Sequence, residues 1–149
     1  MPRFADIFHS QSGDHQSEMR TLNELAQAAG WTVLQPQESI HLHDDSRAIV
    51  ISGVTWSKPD LEVLDELASH DTAGTRVWFF NPDCVFPDER ILPGARPMIQ
   101  TPVLAEYSGT RLVSFVQGGS VSEGVIERIR ILFPLRSTQP SGSIVGQAD

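Results

Sequence analysis

Ala48-Ile49-Val50-Ile51-Ser52 leads, across Gly53-Val54-Thr55, into Trp56-Ser57-Lys58-Pro59-Asp60. The first run is β-branched and almost continuously apolar, which predicts a central strand buried on both faces. The second has the spacing of a helix start. A serine oxygen at Ser57 can accept a first-turn N–H, and Pro59 is tolerated where amides lack intrahelical partners. Asp60 complements the positive end of the helix dipole. Leu61, Leu64, Leu67 and Ala68 then recur as one apolar stripe, with Glu62, Asp65, Glu66 and Ser69 mostly outside it. Arg76-Val77-Trp78-Phe79-Phe80 follows as another buried strand, ended by Asn81-Pro82-Asp83. This is a β-α-β unit.

Upstream, Phe4 to His9 predicts a short strand. Asp14 offers an N-cap to a helix through Met19, Leu22, Leu25, Ala26 and Ala29, and Gly30 ends it. Trp31 to Leu34 predicts a strand, so the unit carries an N-terminal β-α-β extension. Downstream, Pro87, Pro93, Gly94 and Pro97 make residues 84–101 a loop with one helical turn. Val103–Tyr107 and Arg111–Val116 predict an antiparallel hairpin around Ser108-Gly109. Ser120-Val121-Ser122-Glu123 has capping-box spacing for a last helix, whose Val125/Ile129/Leu132 face should pack on the sheet. From Pro134 the chain is rich in Ser, Gly, Pro and Gln. The predicted fold is α/β, a mixed sheet flanked by helices, in a single domain 1–133 with a flexible tail 134–149.

Composition narrows the function classes. The chain has 149 residues, enough for one domain. Its 19 acidic against 11 basic residues give a net charge of −8, which argues against nucleic-acid and anionic-membrane partners. No apolar run approaches the roughly 18 to 20 residues of a membrane span. The N-terminus lacks the apolar stretch of a signal peptide, and the single Cys84 forms no internal disulfide. A cytoplasmic location is expected.

The ordered motifs resemble the thioredoxin family over roughly residues 46 to 133. That family runs a buried strand into Trp-Cys-Gly-Pro-Cys at a helix start, where this chain has Trp56-Ser57-Lys58-Pro59-Asp60. Leu64-Asp65-Glu66-Leu67-Ala68 is similar to a common segment of the family's helix. Asn81-Pro82-Asp83 stands where thioredoxins often have Asn-x-Asp, and Thr101-Pro102 where they place a cis-proline facing the redox site. The hairpin, Gly118-Gly119 and the final helix follow in the family's order. The resemblance implies a thioredoxin-like mixed sheet. It also implies a groove beside Trp56, Ser57, Thr101 and Pro102 that binds a protein or peptide partner.

The chemistry departs from the family. Thiol–disulfide exchange needs a low-pKa thiolate and a second, resolving thiol. The matching positions are Ser57 and Asp60, so dithiol oxidoreductase activity at this site is excluded. Ser57 and Asp60 read as a helix cap, and no Gly-x-Ser-x-Gly elbow supports a serine nucleophile. Cys84 reads as a small apolar residue without a nearby cation. His41-x-His43-Asp44-Asp45 would place two imidazoles on one face of a strand, but no third ligand is identifiable by spacing. No metal or cofactor is expected.

An alternative function rests on Glu66. The stretch from Ala48 to Val77 also resembles part of nucleoside deoxyribosyltransferases and TIR domains, with Glu66-Leu67 matching their catalytic-glutamate helix. In that reading the chain is a small nucleotide- or nucleoside-processing enzyme. The transferases' glycine-rich turn is replaced here by Pro59-Asp60-Leu61-Glu62. The simpler reading of Glu62 and Glu66 is a solvated acidic helix face. Antiparallel pairing after residue 102 would favour the binding module; another parallel strand–helix unit would favour the enzyme.

Overall fold

Side chains alternate across a strand, so a run apolar at every position must be covered on both sides. In the computed structural model, which describes residues 3–10, 14–118 and 124–136, strand β2 (Arg47–Ser52) is covered in this way. Its Ile49 and Ile51 enter one core with Val77, Phe79 and Leu104, while Ala48 and Val50 enter a second with Trp78, Phe80 and Ala105.

The elements run α1 (Ala5–Ser10), α2 (His15–Ala28), β1 (Thr32–Val33), β2, α3 (Lys58–Ala68), β3 (Thr75–Phe80), β4 (Val103–Ser108), β5 (Arg111–Gln117) and α4 (Val125–Leu132). The strands form one sheet in the order β1-β3-β2-β4-β5. β3 pairs parallel with both β1 and β2, whereas β4 pairs antiparallel with β2 and with β5. The expected hairpin is present. Gly109 makes its turn at φ +61°, where a Cβ would come within 2.9 Å of the Asp44 carbonyl oxygen.

All four described helices contribute to the first core, through Ile7, Leu22, Ala26, Leu61, Leu64, Leu67, Val125 and Ile129. Leu132 is partly buried against it. The opposite face has no helix among the described residues; Leu34, Ile40, Val85, Ile91 and Leu92 from connecting segments cover it. The architecture is mixed α/β.

Three expectations change. Phe4 to His9 is not a strand: residues 5–10 are helix α1, so the N-terminal extension is α-α-β. A short apolar run carries no clear period, and tertiary contacts decide it here. Phe4 stacks on Trp31 with ring centroids 5.4 Å apart, and Asp65 of α3 accepts from the Phe4 and Ala5 amides at 2.7 and 3.0 Å. The strand predicted over Trp31 to Leu34 shrinks to Thr32–Val33, an edge strand paired with β3 alone. Residues 134–136, assigned to the tail by composition, are tied to the end of α3. Asp71 N donates to Pro134 O at 2.8 Å, and Arg136 N donates to Ser69 O at 2.9 Å. The capping box at Ser120–Glu123 and residues 137–149 lie outside the described residues; the position preceding α4 is Gly124, with no side-chain cap.

Candidate functional site at the carboxyl ends of the parallel strands

Open α/β sheets bind ligands beyond the carboxyl ends of their parallel strands. Here that end is built by the segment after β2, the start of α3, the turn after β3 and the segment before β4. Ser57 is the N-cap of α3 in extended conformation (φ −115°, ψ 109°), and its Oγ accepts from Asp60 N. The capping role read from the sequence holds.

Asp60 does more than that reading assigned to it. Its side chain is fully buried. Oδ1 accepts from Ser57 Oγ at 2.9 Å, and Oδ2 accepts from Thr101 Oγ1 at 2.6 Å and from Val54 N at 3.1 Å. One carboxylate thus ties the segment before α3 and the α3 cap to Thr101, far away in sequence. Burial pushes its pKa up, and the Thr101, Ser57 and Val54 hydrogen bonds oppose that shift. A second tie sits beside it: Ser52 Oγ accepts from Val103 N at 2.8 Å, joining the end of β2 to the start of β4. The Thr101–Pro102 peptide bond is cis, the isomer the thioredoxin resemblance implies there.

Above this buried frame lies an open groove of about 260 Å³, bordered by Val54, Trp56, Asp83, Met98, Ile99 and Thr101. Trp56 is 60% exposed, so it is not a core residue covering the sheet. Its indole Nε1 donates to Asp83 Oδ2 at 2.8 Å, which fixes the ring against the turn after β3. The opposite rim is also fixed, because Gln117 Oε1 accepts from Ile99 N and Gln100 N at 2.8 and 3.1 Å. Of the four residues singled out, Trp56 and Thr101 border the groove. Ser57, which is half-buried, and Pro102, which is buried, do not line it.

The other candidates lie elsewhere. Glu66 takes a bidentate pair of hydrogen bonds from Arg130 at 3.2 Å and stands 2.8 Å from Nε2 of the buried His70. It is neither a free solvated carboxylate nor a member of the groove. The Arg130 guanidinium, and more weakly His70, hold its carboxyl below the usual glutamate range against the effect of burial. A lowered folded-state value means the contribution is complete above 4.5 and is lost as pH falls through the folded value. Arg130→Ala should therefore lower the melting temperature at pH 7, with the gap to wild type closing in acid. A gap that stays constant in thermal melts from pH 7 to pH 3 would contradict this role.

His41 and His43 lie in an irregular segment, not a strand, and both are exposed. The His41 ring packs edge-on to Trp78. Among the described residues no group of three or more His, Cys, Asp or Glu is placed to hold a metal ion. Cys84 is exposed, with Sγ 3.3 Å from Met19 Sδ; partial burial and the Asp83 charge push its thiol up, away from the reactive thiolate. Among the described residues no helix is long and apolar enough to cross a membrane.

A larger cavity, about 390 Å³, opens at the opposite end of the sheet beside Arg47, Thr75, Glu106, Tyr107 and Phe133. Its buried carboxylate, Glu106, already holds Arg128 in a bidentate pair, and the Tyr107 hydroxyl donates to Pro93 O at 2.8 Å. Those polar groups are spent within the fold.

The sequence signal for Asp60 was its helix-start position; nothing local indicated its depth or its bond to Thr101. The Trp56–Asp83 bond spans two turns and carried no sequence signal. No protein-family model matches the chain, and no curated protein matches it in sequence.

Proposed function

We propose that the chain is a thioredoxin-like module without dithiol chemistry, which binds an extended segment of a protein partner in the groove between Trp56 and Thr101. Chaperone, assembly and scaffold roles all fall within this reading. The observation that carries it is an exposed tryptophan and a main-chain rim, both fixed by hydrogen bonds, on one groove at the carboxyl ends of the parallel strands. The strand order and the antiparallel β4–β5 pair support the thioredoxin-like part. Neither the main-chain N–H nor the C=O of Thr101 has a partner among the described residues, so both are available to an incoming main chain. The Glu66 enzyme reading draws no support from this geometry, since that carboxylate is engaged by Arg130 and borders neither cavity.

Amide chemical-shift mapping with a blocked, extended peptide of alternating valine and threonine tests the reading. Shifts should concentrate at residues 54–57 and 98–103. No shifts, or shifts confined to the surroundings of Glu66, would overturn it. The same protein should reduce no disulfide substrate catalytically with dithiothreitol as donor. One cysteine cannot cycle through an intramolecular disulfide, so turnover above a Cys84→Ser control would contradict the redox-inactive assignment.

A further inference from the structure

The groove has a chemical bias that the peptide-binding reading leaves open. Of the described residues that line it, Asp83 alone is charged, and the rest include Val54, Trp56, Pro82, Met98 and Ile99. The Trp56 indole occupies one carboxylate oxygen of Asp83; the other, Oδ1, has no partner among the described residues. The indole N–H lies in the ring plane, so the carboxylate stands at the edge of an exposed tryptophan ring, with one oxygen left to pair with a cation lying over that ring. An aromatic face and a carboxylate side by side attract the same kind of group, a cation carried on an apolar stem. The net charge of −8 adds to the attraction for cations.

We infer that the groove takes a polypeptide segment in which an arginine or lysine is flanked by apolar residues, with the cation lying over the Trp56 ring and paired with Asp83 Oδ1. This rests on the peptide-binding reading and adds the selectivity of the site. The apolar walls receive the flanking side chains. An acidic residue at the same position would meet Asp83 and be rejected.

Fluorescence anisotropy with labelled, blocked heptapeptides of alternating valine and threonine tests it, with arginine, norleucine or glutamate at the centre. The arginine peptide should bind about tenfold tighter than the norleucine peptide, and the glutamate peptide weakest. The preference should shrink at high salt. Asp83→Asn should bring the arginine and norleucine peptides to within about twofold of one another. Asp83 is exposed, so the variant should fold, and a thermal melt checks this.

Equal binding of the arginine and norleucine peptides to wild type would overturn the cation preference and leave the peptide-binding reading standing. Discrimination unchanged in Asp83→Asn would likewise remove Asp83 from it. Binding of none of the three peptides would overturn both. So would self-association abolished by Trp56→Ala, which would assign the groove to a second copy of this chain.

Discussion

Asp60→Ala is expected to cost about 3 kcal/mol of stability, far more than removal of a first-turn acid from an exposed helix. The fully buried carboxylate accepts from Val54 N, Ser57 Oγ and Thr101 Oγ1, and truncation removes all three bonds and leaves the buried Val54 N–H without its acceptor. Thr101→Val removes one of the three and should cost about 1 kcal/mol. The pH dependence separates this account from simple packing. Burial raises the folded-state value of Asp60, so the folded protein holds that proton to higher pH than the unfolded chain does. Stability from this group is complete below 3.8 and declines as pH rises through the raised value. The wild-type advantage over Asp60→Ala should accordingly narrow as pH rises. Denaturant melts across that range measure it, and an advantage that grows with pH would reverse the assignment.

This tie marks where the sequence stops being legible. The β2-α3-β3 unit and the β4–β5 hairpin follow from patterns contained in each segment: continuous apolarity in Ala48 to Ser52, a helical stripe from Leu61 to Ala68, and a glycine turn at residue 109. The residues that close the site are different. Asp60 has the same local signature whether it caps a solvated helix or is buried under a loop from residue 101. Glu66 reads as a solvated face until Arg130 of α4 is brought against it. Helix α1 was missed for the same reason, since its first amides are satisfied by Asp65, some 60 residues away in the chain. At Asp60, Glu66 and α1 the deciding contacts include a long-range polar one. Hydrophobic periodicity reports which face is covered, not which polar group does the covering.

Trp56→Ala should abolish peptide binding while leaving the fold intact. An exposed aromatic ring on the rim of an apolar groove is the kind of anchor whose truncation costs about 2 kcal/mol or more, so affinity should fall at least about 30-fold. Stability should change by less than about 1 kcal/mol, because the ring is largely exposed and its hydrogen bond to Asp83 lies at the surface. A tryptophan serving as core would instead cost about 3 to 5 kcal/mol on truncation. The two measurements must be made together, by anisotropy with the labelled peptides and by denaturant melts. Trp31 and Trp78 are the internal controls: both are buried, and Trp31→Ala should destabilise the protein by that larger amount through its stack with Phe4. If Trp56→Ala unfolds the protein, the ring is a structural element after all. If it folds and binds as wild type does, the partner docks elsewhere and the groove is not its site.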